Sequence, residues 1–126
     1  MGLFDGLMGN ATQLSSESVS KELQDVLTAD ERIDLSFKLV RDLIVFTNKR
    51  LIIVDKQGVS GKKVEYKSIP YKSISRFSVE TSGHFDLDAE LKIWISSAEL
   101  PAETLQFRKD KNIIFVQQAL ASAVLH

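Results

Sequence analysis

A mainly β (α+β) domain with a helix near each end is the fold class that this 126-residue sequence predicts. From Arg32 onward, apolar residues recur at every second position in one short segment after another, the period of a strand whose two faces differ. Polar pairs and glycines at hairpin spacing separate those segments. Before and after them the apolar period lengthens to three or four, the spacing of one helix face. Seven consecutive strands leave two sheet edges and an open mouth. A seven-stranded, strongly bent antiparallel sheet or partial barrel, capped by the C-terminal helix, resolves both.

The opening MGLFDGLMGN has Leu3, Phe4, Leu7 and Met8 at helical spacing, but Gly2, Gly6 and Gly9 deny it a stable isolated helix, since each interior glycine costs ~1 kcal/mol. Ser15 or Ser16 then caps a helix with Glu17 in its first turn, and Val19, Leu23, Val26 and Leu27 form its apolar stripe, predicting a helix over 19–27. Ile33, Leu35, Phe37 and Leu39 alternate with polar residues, a turn at Arg41-Asp42 leads into Leu43 to Thr47, and Asn48-Lys49 is the turn before Arg50 to Asp55. The 56–63 loop, with Gly58 and Gly61 free to take positive φ, leads to Val64 to Ser68. Pro70 lacks an N–H and disturbs pairing there. Ile74, Phe77 and Val79 do not share one phase, which predicts a bulge near Ser75. Leu91, Ile93 and Ile95 mark the next strand, Leu105 and Phe107 the last, and Ile113, Val116, Leu120 and Val124 the terminal helix. Burial is expected for Leu51, Ile53, Leu91, Ile93 and Ile95. The length suits one domain, with residues 1–29 as an N-terminal extension and helix and 30–126 as the β-rich body.

The chain has no cysteine, which excludes disulfides and thiolate metal sites. No apolar run approaches the ~20 residues of a membrane-spanning helix, and the first basic residue is Lys21, so no secretory leader is read and a cytoplasmic protein is expected. The formal net charge of −1 hides a strong polarity. Residues 1–37 hold two basic and seven acidic residues, 38–76 ten and three, and 77–126 four and seven. So lopsided a middle builds a positive surface if its side chains point to solvent.

The run FTNKRLIIVDKQGVSGKKVEYKSIPYKSISRFSVET, followed by ELKIWIS and a terminal amphipathic helix, resembles the bacterial pleckstrin-homology family, formerly a domain of unknown function. The MGLFDGLMGN start is similar to that family's N-terminal extension. The resemblance spans nearly the whole chain and is most specific at Phe46-Thr47-Asn48-Lys49-Arg50 and Ser68-Ile69-Pro70-Tyr71. It implies a seven-stranded bent sheet capped by a C-terminal helix, and a ring-like homo-oligomer. The inositol-lipid site of eukaryotic namesakes uses basic residues of the first hairpin, where this chain has only Lys38 and Arg41 beside Asp42.

Two readings of the basic middle stay open. Its lysines keep a sheet edge soluble, or Lys56, Lys62 and Lys63 stand on one exposed, mobile hairpin tip, with Arg50 and Lys67 as neighbouring candidates, and bind an anionic membrane surface at ~1 kcal/mol per cation. Nucleic acid is not expected, because no aromatic residues interleave with the lysines. Trp94 falls on the polar phase of its strand, where it either lies under the N-terminal segment or anchors a subunit contact. Leu3, Phe4, Leu7 and Met8 point to docking on a partner, with disorder or membrane contact as alternatives. The chain is therefore expected to assemble with itself or bind another protein. His84, Asp86 and Asp88 read as an ordinary polar loop. Without a nucleophile and base pair, a phosphate loop or a metal motif, no enzyme, cofactor or metal is assigned.

Overall fold

A computed structural model describes residues 16–39, 42–57, 63–81, 89–107 and 112–125. They form α1 (Ser16–Glu22), β1 (Ile33–Lys38), β2 (Leu43–Thr47), β3 (Arg50–Gln57), β4 (Lys63–Pro70), a 3₁₀ turn (Tyr71–Ser73), β5 (Ile74–Thr81), β6 (Ala89–Ile95), β7 (Glu103–Phe107) and α2 (Asn112–Val124). The seven strands form two antiparallel sheets, ordered β1-β2-β3-β4 and β5-β6-β7. The chain divides into two compact units, Met1–Ile69 and Pro70–His126.

In the first unit, β2 and the Leu51 to Val54 stretch of β3 are buried at every position, so both faces of the sheet are covered there. One face is covered by α1. Val19 and Leu23 pack on Leu43, Val45, Ile52 and Val54, which the register Leu43↔Val54 and Val45↔Ile52 sets side by side. A seven-residue helix is unstable alone. Burying Val19 and Leu23, each worth ~1.5–3 kcal/mol, is what holds it.

The α-helix ends at Glu22 and not at Leu27. Leu23 N still donates to Val19 O, but Val26 N donates three residues back to Leu23 O and the chain tightens into a turn. Val26 O is instead taken by the Arg50 side chain. Val26 and Leu27 keep their place on the apolar cluster, so the stripe outlasts the helix. In β1 the even alternation also breaks. The register shifts between Ile33 and Leu35, so Ile33 packs on the α1 cluster while Leu35 pairs with Phe46, which lies outside that cluster.

In the second unit, Leu91↔Leu105 and Ala89↔Phe107 align buried residues of β6 and β7. The register of β5 and β6 shifts between Ile74 and Arg76, the bulge expected at Ser75. Leu51, Ile53, Leu91 and Ile93 are buried as expected. Ile95 is not. It is half-buried, being the last residue of β6, where the chain turns away through Ser96. Ser96 takes a left-handed φ of 57°, which costs a non-glycine residue on the order of 1 kcal/mol. Its N–H donates to Ser73 O at 3.0 Å and Ala98 N to Ile95 O at 3.4 Å, holding the turn. α2 packs against the 3₁₀ turn and buries Val116, Ala119 and Leu120.

Candidate functional site

Four consecutive residues, Thr47 to Arg50, form the tightest polar site among the described residues. The Thr47 hydroxyl donates to Glu31 Oε2 at 2.6 Å and accepts the N–H groups of Lys49 and Arg50, both at 3.0 Å, which shapes the β2–β3 turn. Asn48 Oδ1 accepts Arg32 N at 2.7 Å, and Asn48 N donates to Arg32 O at 3.1 Å. Lys49 Nζ lies 2.8 Å from Asp30 Oδ1. Arg50 grips Glu31 with Nε to Oε2 at 2.9 Å and Nη2 to Oε1 at 2.8 Å, and also donates to Val26 O at 2.7 Å and Ser68 Oγ at 2.8 Å.

The Glu31 side chain is fully buried. Its bonds to Arg50 outweigh the desolvation that opposes them, and with the Thr47 hydroxyl and the Thr28 N–H they hold its carboxyl down at about 2. The same pairing raises Arg50 above its ordinary value. Lys49 holds Asp30 below the usual carboxylate range. Four of the five guanidinium N–H groups of Arg50 are thereby engaged within the chain.

Among the described residues, Lys56 and Lys63 are not gathered with Arg50. Lys56 sits six residues further along β3, about 20 Å away at ~3.4 Å per residue. Its Nζ lies 3.3 Å from Glu22 Oε2 on α1. Lys67 lies 3.6 Å from Asp55 Oδ2. Lys63 is exposed at the start of β4. Lys62 lies outside the described residues, and so do Leu3, Phe4, Leu7, Met8, His84, Asp86 and Asp88. Near Lys56, burial and the neighbouring Asp55 push the Asp42 carboxyl up, although Asp42 accepts Lys56 N at 3.4 Å.

Trp94 is half-buried. Arg76 stacks over its ring at 4.2 Å from the centroid, and its Nε1 donates to Glu99 O at 3.1 Å. The tryptophan thus staples the 96–102 loop, whose Leu100 is 79% exposed.

Glu31 was not singled out in the sequence, nor were Leu100, Ile114 and Leu125. The signal for Glu31 was there, in an acidic N-terminal third beside a basic middle. Three of those basic residues meet carboxylates of that third: Lys49 with Asp30, Arg50 with Glu31 and Lys56 with Glu22.

Residues 2–124 match the family described as Bacterial PH domain. The chain is 62% identical over 125 residues to the uncharacterized protein YjqA of Bacillus subtilis (strain 168), covering 99% of this chain and 100% of that one. The crystal structure of a pleckstrin homology domain from Shewanella amazonensis SB2B superposes with a TM-score of 0.83 at 47% identity, over 99% of this chain and 100% of that one. A duf1696 family protein with a pleckstrin-homology domain, from Shewanella loihica PV-4, gives 0.75 at 44% identity, over 93% and 99%. The chain belongs to the bacterial PH domain family.

Proposed function

We propose that the chain is a non-catalytic, PH-like interaction subunit that assembles with copies of itself. One observation carries this reading. Leu100, Ile114 and Leu125 are 79%, 56% and 67% exposed, and all three belong to the second unit. Ile114 and Leu125 fall on one face of the C-terminal helix at 100° per residue, and an exposed apolar stripe supports association where single exposed residues such as Leu100 do not. Leu3, Phe4, Leu7, Met8 and Trp94 are the further interface candidates. Covering several hundred square ångströms of such surface contributes ~25 cal/mol per Å² before association costs. A repeated contact of that size persists when closed symmetry satisfies every subunit. Light scattering should report a mass well above 14.1 kDa. Deleting residues 1–10, or Trp94→Glu, should lower it, and a wild-type monomer at tens of micromolar contradicts the reading.

A second reading, a peripheral module for anionic lipid, is favoured by the exposure of Lys63 and Tyr66 on β4. Against it, Arg50, Lys56 and Lys67 already have carboxylate partners. Co-sedimentation with phosphatidylserine vesicles decides it. Binding must fall as the Debye length shrinks from ~10 Å at 0.1 M salt to ~3 Å at 1 M, and must vanish when Lys56, Lys62 and Lys63 become glutamate. Vesicle binding unchanged by those substitutions removes the hairpin from consideration.

A further inference from the structure

We propose that Asp42 and Asp55 are a proton-sharing pair, a pH-sensitive latch that tightens the open end of the β2–β3 ladder when they hold one proton between them and loosens it when both ionise. The latch lies wholly in the first unit and is independent of whether the chain assembles or meets a membrane. The ladder runs to Leu43↔Val54, so Asp42 and Asp55 are the next residues on each strand and stand opposite each other. Leu39 N donates to Asp42 O, which turns the Asp42 backbone toward β1. Asp42 and Asp55 are therefore a non-hydrogen-bonded pair, the kind whose Cα atoms approach to about 4.5 Å and whose side chains stand closest. Both point away from α1, because Leu43 and Val54 beside them pack on the α1 cluster and successive side chains alternate.

The charged neighbours do not balance the pair. Lys56 is on the α1 face, where its Nζ lies 3.3 Å from Glu22 Oε2, and Lys38, at the end of β1, pairs with Leu43 and shares that face. From β4, Lys67 Nζ lies 3.6 Å from Asp55 Oδ2, and Gln57 Nε2 donates to the same oxygen at 3.3 Å. β4 also carries the exposed Glu65, and Arg41 lies outside the described residues. Two carboxyls that share a site with so little compensation hold one proton in common. Burial and then the Asp55 charge raise the Asp42 carboxyl above its ordinary 3.8, against the opposing Lys56 N–H and Lys67. The two carboxyls are also hydrogen-bonded to each other, a bond that needs a proton on one of them. Lys56 N meets Asp42 Oδ1 at 3.4 Å, long for an N–H···O bond, so the end of β3 leans on a side chain whose charge changes. The folded Asp42 binds its proton more tightly than the unfolded chain does. The closed end is therefore most stable below pH 3.8 and loses that stability as the pH rises through the folded value.

Carboxyl-carbon NMR of the full chain, from neutral pH down past 3.8, tests the latch together with hydrogen exchange of the Leu43 and Val54 amides. The Asp42 carbon should titrate with a midpoint above 3.8, and the Asp55 carbon should shift over the same range. Exchange of the two amides, corrected for its intrinsic pH dependence, should slow as the pH falls through that midpoint. Asp55→Asn should bring the Asp42 midpoint down toward 3.8. Asp42→Asn, whose amide can donate to Asp55 as the shared proton does, should melt higher than wild type at neutral pH and level with it below pH 3.8. An Asp42 midpoint at or below 3.8 overturns the latch. A raised midpoint with a still Asp55 carbon makes burial its whole cause and overturns proton sharing, and that outcome is read on the wild type even if a variant fails to fold. An Asp42 midpoint unmoved by Asp55→Asn overturns the sharing as well, and amide exchange that does not slow overturns the tightening.

Discussion

α1 and α2 each bury one apolar stripe, but their surroundings differ in chemistry. The segment around α1 is acidic, and Glu22, Asp30 and Glu31 each reach a cation on β3 or the turn before it. α2 carries no charge and leaves Ile114 and Leu125 in solvent. Four of the ten basic residues of the middle, Lys49, Arg50, Lys56 and Lys67, meet carboxylates inside the first unit, three of them from the N-terminal third. The exposed Leu100, Ile114 and Leu125 lie on the second unit, where no sequence charge drew attention to them. An unusual local charge marks a site only when its counter-charge is not supplied by the same chain.

The largest effect in this comparison belongs to the Glu31 and Arg50 pair. Removing either partner strands a desolvated charge, so Arg50→Ala or Glu31→Ala should destabilise the fold by ~3–5 kcal/mol in urea unfolding. That is a large part of the ~5–15 kcal/mol of an ordinary domain. A loss below ~1 kcal/mol would show the pair to be solvated.

Acid sharpens the same point. Glu31 is held at about 2 against an ordinary 4.5, so its contribution is fully present above pH 4.5 and is lost as the pH falls through 2. The pH dependence of stability over that window should flatten in Glu31→Gln, after allowance for the other carboxylates. An unchanged slope would mean that Glu31 is not the group titrating.

At the far end of β3 the effect is small. Lys56 and Glu22 are each about a third exposed, so Lys56→Met or Glu22→Gln should move stability by less than ~1 kcal/mol, within the range of surface pairs. A loss as large as that of Arg50→Ala would erase the distinction between the two ends.

Much of the fold was legible because the apolar period is local. The alternation over Leu91 to Ile95, the Asn48-Lys49 turn and the phase change at Ser75 each depend on neighbours in the chain. The end of α1 was not legible, because Arg50, twenty-four residues away, takes the Val26 carbonyl. The shift between Ile33 and Leu35 was hidden for a similar reason, since both residues stay apolar and only the pairing with β2 separates their faces. For the site, the basic residues were visible but their partners were not. Arg50 reads as a free cation until Glu31 is brought to it from nineteen residues away. Trp94 was correctly marked as standing on the polar phase, but the stacking of Arg76 over its ring comes from strand register.

The most direct test sets the two regions against each other in one light-scattering series with equal protein concentration and salt. Wild type is compared with Ile114→Glu/Leu125→Glu, which places charge on the α2 stripe, and with Lys56→Glu/Lys63→Glu, which inverts charge on the basic hairpin. The account predicts a wild-type mass several times 14.1 kDa, retained by the lysine variant and lowered in the α2 variant with no fall in melting temperature. A mass lowered by the lysine substitutions and unmoved by those on α2 would contradict it.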